Sequence, residues 1–267
     1  MPCKKSRSDV RAIFAVVLLA SVFPVELLPG SPRDLRGTDG QYSGKQGQVL
    51  VVRVPITREP REVVGRFLGR LVPFFHDRSG YVGLLGLDMQ DAPGTHELAV
   101  EAAYPDGMKR LSYNVLVMKE KYPVQRLTLP KDKVDLDEEN LVRVKAEQEQ
   151  VRTVLDVVSK DRFWQGRFIE PVSGAISGAF GRVRIINGQR RSPHNGEDIA
   201  APEGTEVMAI NDGVARLTVD HFFAGKGVFV DHGLGLYSMY FHLSEVTGED
   251  GTRVKQVSHA SRIQRSD

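Results

Sequence analysis

The sequence predicts a mainly β fold in which one long helix connects two β-rich parts. Short apolar runs recur roughly every ten residues and are separated by turn-favouring Gly, Pro and Asp residues, which is typical of small antiparallel sheets. The 26 Gly and 14 Pro residues of the 267-residue chain fit a protein with many turns. One segment, residues 137–161, instead has apolar residues at helical spacing.

Residues 1–28 have the layout of a secretory signal peptide or an uncleaved amino-terminal anchor. Basic residues precede a twelve-residue apolar run, Ala12–Phe23. A helix needs about 20 apolar residues to cross a bilayer, so this run is short for a membrane span. We therefore expect an exported protein of the periplasm or cell envelope. Residues 29–45, rich in Gly, Pro, Ser and Asp, are expected to be a linker.

Charge and cysteine content exclude some classes of function. The net charge of +2 and the lack of a long basic run give no basis for nucleic-acid binding. The single cysteine, Cys3, precedes the apolar run, whereas a lipoprotein would have its cysteine after it. The exported part would therefore contain no disulfide.

Residues 46–120 are expected to form a small β-sandwich module. Six apolar or β-branched runs lie within it, with turn signals between them. Because the segment has no catalytic constellation, we interpret it as a spacer or binding module. The runs are Val49–Val54, Val63–Leu68, Leu71–Phe75, Tyr81–Leu87, Glu97–Ala103 and Leu111–Met118.

Residues 135–162 are predicted to be a connecting helix. Asp137 can cap its start, and the two glutamates that follow suit the positive end of a helix dipole. Five apolar residues are expected to share one helical face. They are Leu141, Val144, Val151, Leu155 and Val158.

The carboxy-terminal part, residues 166–267, contains a candidate metal half-site. His194 and Asp198 are four residues apart in a loop, and Gly196 between them relaxes the backbone. An imidazole and a carboxylate suit a catalytic zinc ion, which takes three protein ligands and leaves one position open. The spacing alone is also compatible with a loop salt bridge or a cap.

Six short motifs follow one another without large gaps between about residues 168 and 255. They are Pro171–Arg182, Asn187–Gly188, His194–Thr205, Val207–Gly213, Asp231–Gly233 and Tyr240–Ser244. Together they resemble the LytM or lysostaphin type of zinc endopeptidase, which is peptidase family M23. The resemblance implies an open antiparallel β core with Zn²⁺ in a groove across the sheet.

The resemblance also implies roles for individual residues. His194 and Asp198 match two metal ligands, and His242 matches the catalytic histidine that assists the attacking water. His232 matches a position that is not a ligand, so we expect a structural role beside a turn. The implied activity is hydrolysis of peptide bonds in peptidoglycan, whose peptides would be the partner of the groove.

The sequence departs from the family pattern after Lys255. A Gly-Pro-His-x-His segment, which would supply a third ligand and a second catalytic histidine, does not occur, and the domain looks truncated. His259 is the only histidine left downstream. Two other readings stay open: an inactive LytM-type domain that activates or scaffolds a cell-wall hydrolase, and a chain without a stable carboxy-terminal fold.

Overall fold

A computed structural model describes residues 40–78, 80–128, 136–190 and 192–256, and the backbone of 263–264. The expected signal segment, 1–28, and most of the expected linker lie outside these residues. The chain forms two compact units, with the boundary between Tyr122 and Pro123. The described residues contain 18 strands and one helix, so the fold is mainly β. No helix among them is both long and apolar enough to cross a membrane.

The amino-terminal unit is built around one seven-stranded sheet. Its strand order is β1-β7-β6-β3-β4-β5-β2, and β1 pairs with β7 in parallel while the other pairs are antiparallel. The strands are β1 (Gln41–Lys45), β2 (Val49–Val54), β3 (Glu62–Phe67), β4 (Arg70–Asp77), β5 (Gly80–Gly86), β6 (Gly94–Tyr104) and β7 (Gly107–Met118).

One apolar cluster forms the core of this unit. Val52 of β2, Phe67 of β3 and Val115 of β7 are all fully buried in it, although β2 lies at one end of the sheet and β7 lies near the other. The sheet therefore curls around the cluster. Alternating burial along the strands explains this, because successive side chains point to opposite faces.

Strand β1 lies in the segment that the sequence assigned to the linker. Its residues are polar, and its place in the sheet comes from backbone pairing with β7. Gly44 allows Leu50 to pack closely against this strand, because an added Cβ would lie 2.7 Å from a methyl carbon of Leu50. Polar composition therefore concealed a strand that joins the sheet through main-chain pairing with β7.

The carboxy-terminal unit consists of several small sheets and one helix. The largest has four antiparallel strands in the order β15-β14-β13-β17, and two smaller sheets have the orders β11-β10-β8 and β12-β9. The elements are β8 (Val124–Leu127), α1 (Glu138–Leu155), β9 (Ala175–Gly178), β10 (Val183–Ile186), β11 (Gln189–Arg190), β12 (Asp198–Ala200), β13 (Gly213–His221), β14 (Gly225–Gly233), β15 (Leu236–Leu243), β16 (Glu245–Val246), β17 (Arg253–Val254) and β18 (Ile263–Gln264).

Helix α1 begins at the predicted cap but packs through different residues from those expected. The Asp137 side chain accepts a hydrogen bond from the Asn140 backbone, which confirms the N-cap. Val151 and Val154 pack against a buried cluster of the four-stranded sheet, whereas Leu141 is 44% exposed. The predicted apolar face was therefore wrong in part, because the amino-terminal half of the helix contacts the β13–β14 hairpin through polar groups.

Candidate metal centre

The structure brings His194 and Asp198 together. Asp198 is the first residue of β12, and His194 lies in the loop before it. Two backbone hydrogen bonds fix this loop: the His194 N–H donates to the Arg182 carbonyl at 2.9 Å, and the Gly181 N–H donates to the His194 carbonyl at 2.7 Å. The position of His194 is therefore set by main-chain contacts with the segment that leads into β10.

The hydrogen bonds of His194 determine which ring nitrogen faces Asp198. Nδ1 lies 3.2 Å from the Ala179 carbonyl oxygen, and a carbonyl oxygen can only accept, so Nδ1 carries a proton. Nε2 lies 2.9 Å from Oδ1 of Asp198. A hydrogen bond from Nδ1 is the arrangement that orients metal-binding histidines, because it leaves the Nε2 lone pair available to a metal ion.

Asp198 presents a buried carboxylate oxygen without a hydrogen bond. Only 3% of the residue is exposed. Its Oδ1 is close to His194 Nε2, but among the described residues it makes no hydrogen bond of acceptable geometry. Its Oδ2 lies 3.7 Å from Nη2 of Arg184, beyond hydrogen-bond distance. Burying a carboxylate oxygen that lacks a hydrogen bond is costly, and a cation bound there would offset this cost.

The pair fits two positions of a zinc site. One imidazole nitrogen and one carboxylate oxygen face each other, and both are ligands that Zn²⁺ accepts. Among the described residues, no group of three or more His, Cys, Asp or Glu side chains could hold a metal ion. His259, the downstream histidine of the sequence analysis, lies outside the described residues.

Gly178 is a residue of this site that the sequence analysis missed. It lies on β9 directly opposite Asp198 in the β9–β12 pair. A Cβ added at Gly178 would overlap the Asp198 carboxylate, so only glycine leaves room for that side chain. The Gly pair in Gly174-Ala-Ile-Ser-Gly178 was visible in the sequence, but its reason depends on strand pairing.

His242 lies on β15, in an unusual backbone conformation. Its φ is +56°, and its N–H donates to the Ala224 carbonyl at 2.9 Å. The pairing of β14 with β15 shifts by one residue between Lys226 and Val228, which leaves an extra residue in β15 beside His242. Bulges of this kind redirect a side chain. The role of His242 in catalysis stays a prediction.

His232 has the structural role that the sequence predicted. It is fully buried. Nδ1 lies 2.7 Å from the Asp212 carbonyl, and Nε2 lies 2.7 Å from the Ser238 hydroxyl. Ser238 donates to the Tyr240 hydroxyl, which in turn accepts from the Ile210 N–H. Burial lowers the pKa of His232, although the Asp212 carbonyl and nearby carboxylates oppose this effect.

Comparison with known proteins shows that the segment containing this site is similar to one protein family. A sequence profile of peptidase family M23 matches residues 192–264. Peptidoglycan DD-endopeptidase ShyA of Vibrio cholerae is 40% identical over 68 residues, which is 26% of this chain and 16% of that protein. ShyC of the same organism is 35% identical over 75 residues, which is 28% of this chain and 17% of that protein. The matched segment is thus less than a fifth of either relative.

A solved structure extends the similarity to most of the chain. It is a Pseudomonas aeruginosa protein assigned to the M23 peptidases, with a TM-score of 0.61 and 25% sequence identity. The alignment covers 82% of this chain and 81% of that structure. The profile match includes His194 and Asp198 of the candidate metal half-site and His242 of β15. Residues 192–264 of the carboxy-terminal unit therefore match peptidase family M23, and the fold of most of the chain is similar to that of an M23 peptidase.

Proposed function

We propose that this protein is an exported zinc metalloendopeptidase that hydrolyses peptide bonds of peptidoglycan. The observation that carries the proposal is the buried His194–Asp198 pair, with Asp198 Oδ1 lacking a hydrogen bond and 2.9 Å from Nε2. Two curated relatives are named peptidoglycan DD-endopeptidases, which favours peptides as the substrate. The periplasm or cell envelope is the compartment in which such a substrate is found.

In the proposed mechanism, His194 and Asp198 would hold the metal. When bound, zinc supplies Lewis acidity that polarises a scissile carbonyl and activates water. The Ala179 carbonyl keeps the proton of His194 on Nδ1, so Nε2 remains available as a ligand. His242 would accept a proton from the attacking water and later return it to the leaving amine. The register shift of β15 beside His242 supports a special position for this residue.

The first experiment is metal analysis of the purified protein, paired with digestion of peptidoglycan. We expect bound zinc and soluble peptide products, both abolished in His194→Ala. In His242→Ala we expect zinc to remain and hydrolysis to fall by about 10²-fold or more, because this residue acts on protons. Zinc-free wild-type protein that is folded and inactive would contradict the proposal.

A second candidate function is a non-catalytic LytM-type domain that activates or scaffolds a cell-wall hydrolase. It is favoured by the absence, among the described residues, of a group of three or more metal-ligand side chains. Such a protein needs a folded surface and a partner hydrolase, with no bound metal. Stimulation of a cell-wall hydrolase by the His194→Ala variant as strongly as by the wild type would support this function over the enzymatic one.

A further inference from the structure

Arg184 is the one cationic side chain with a recorded contact to the candidate metal pair among the described residues. It projects from β10, and its Nη2 is 3.7 Å from Oδ2 of Asp198. This separation is too long for a hydrogen bond, so the carboxylate does not saturate the guanidinium. The Asp198 carboxylate therefore attracts Arg184 by charge and leaves the N–H donors of the guanidinium available to another acceptor.

The donors of Arg184 lie partly inside and partly outside the protein. Its Nε is buried and has no hydrogen-bond partner among the described residues. The side chain as a whole remains 35% exposed. A buried N–H that lacks an acceptor is unfavourable, so an acceptor that pairs with it gains affinity. The exposed portion gives such an acceptor access to the guanidinium.

The chemistry of guanidinium selects the type of acceptor. Its planar fork of N–H donors pairs with a carboxylate through two parallel hydrogen bonds, a geometry that lysine cannot provide. Asp198 approaches only one side of this fork. A neutral amide would offer a single oxygen acceptor and no charge.

We propose that Arg184 binds a free carboxylate of the peptide substrate next to the bond to be cleaved, and so determines specificity. This inference rests on the proposed peptidase function for the position of the substrate. The ligand class is a short peptide with a carboxylate at or beside its carboxy-terminal residue. Arg184 is then a specificity residue that positions one end of the peptide against His194 and Asp198.

The test compares two probes that differ only in this group. They are N,N′-diacetyl-lysyl-D-alanyl-D-alanine and its carboxy-terminal amide, titrated into the full, zinc-free protein and followed by NMR. Zinc-free protein is used because a bound ion would itself attract carboxylate and because no hydrolysis then occurs. We expect the carboxylate peptide to bind about tenfold more tightly than the amide, as a charge-assisted pair allows.

Substitutions test whether the preference for the carboxylate peptide over the amide depends on Arg184. In Arg184→Gln, the carboxylate peptide should lose about tenfold in affinity while the amide affinity stays unchanged. Arg184→Lys keeps the charge without the fork and should show an intermediate ratio. Arg190→Gln is the matched control, because Arg190 is exposed on the neighbouring strand β11. In Arg190→Gln, the ratio of the affinities for the carboxylate and amide peptides should equal that of the wild type.

Three results would overturn the inference. They are equal or undetectable binding of both peptides by the wild type, a preference that survives in Arg184→Gln, or an equal loss in Arg190→Gln. If Arg184→Gln does not fold, the inference is tested by the carboxylate-to-amide affinity ratios of the wild type and of Arg184→Lys. The two proposals fail separately: a protein that binds zinc and digests peptidoglycan without carboxylate preference refutes only the role of Arg184. Carboxylate preference without zinc or hydrolysis refutes only the peptidase.

Discussion

The space for the Asp198 carboxylate depends on one missing Cβ atom. Gly178 faces Asp198 across the β9–β12 pair, and any larger residue there overlaps the carboxylate. We expect Gly178→Ala to displace Asp198 and to lower the zinc affinity by about 10–100-fold, the range seen when the support of a metal ligand is altered. Competition with a chromophoric chelator measures this affinity.

A matched glycine separates this effect from a general cost of alanine. An added Cβ at Gly248, in the same unit, meets no atom within 4 Å, so Gly248→Ala should keep wild-type zinc affinity. Circular dichroism of both variants verifies that they are folded. Unchanged zinc binding in Gly178→Ala would show that Asp198 is not a ligand or that β9 moves aside.

A second prediction at the residue scale concerns the pKa of the His232 imidazole. Burial holds its pKa below the ordinary value of 6.5, against the opposing influence of Asp212 and Asp231. A base with a lower pKa in the folded state stabilises the protein above about pH 6.5, and this stability is lost as the pH falls through the folded-state pKa. We expect an NMR titration of the ring to give a midpoint below 6.5.

Two outcomes decide the His232 prediction. The free energy of unfolding of the wild type should decrease between pH 6.5 and the titration midpoint, and His232→Gln should lack that component. His221→Gln is the control, because His221 is partly exposed and contacts the Gln150 side chain. A ring midpoint at or above 6.5 would mean that the carboxylates outweigh burial.

At the scale of elements, helix α1 is fixed to the β13–β14 hairpin by charged side chains. The Glu147 carboxylate accepts from the Phe222 N–H at 3.0 Å, and Arg143 donates to the Asp220 carbonyl at 2.9 Å while pairing with Glu147. We expect Glu147→Ala to reduce the free energy of unfolding by about 1–3 kcal/mol, because it removes hydrogen bonds to a charged group. Urea unfolding measures the change.

Glu149 provides the control on the same helix. Among the described residues its carboxylate has Arg152 as its recorded partner, and both side chains are exposed. Surface pairs of this kind contribute little, so Glu149→Ala should unfold at the same urea concentration as the wild type. Equal losses in the two variants would mean that the hairpin contact of Glu147 does not account for its effect.

At the scale of the whole molecule, the two units have separate apolar cores, and the single tryptophan reports on one of them. Trp164 is 8% exposed within the carboxy-terminal unit. A ligand that binds only the folded state stabilises it by about 2.7 kcal/mol at a concentration of 100 times Kd. We therefore expect zinc to raise the urea midpoint of Trp164 fluorescence.

The same titration has an internal control. His194→Ala should show no zinc-dependent shift of the Trp164 transition, since one of the two proposed ligands is removed. A shift that persists in His194→Ala would place the stabilising zinc at another site. No shift in the wild type, at zinc concentrations well above the protein concentration, would favour the non-catalytic alternative.

Much of the fold and half of the candidate site were predictable from the sequence. Alternating apolar runs predicted strands β2 to β7, and Asp137 predicted the start of α1, because both signals depend on neighbours in the chain. Val207–Ile210 has the same apolar character but lies outside the strands, where its backbone bonds to residues near Pro171. A run of apolar residues therefore predicts that a segment is buried more reliably than it predicts that the segment pairs as a strand.

The sequence by itself determined the mainly β class, the capped helix and the proximity of His194 and Asp198, which four residues of loop keep within reach of each other. Only the tertiary structure decided that Gly178 leaves room for Asp198, that Arg184 lies beside it, and that His242 lies at a bulge of β15. The physical reason is distance along the chain. These contacts join residues on different strands, and their register is fixed by backbone pairing that side-chain composition does not specify.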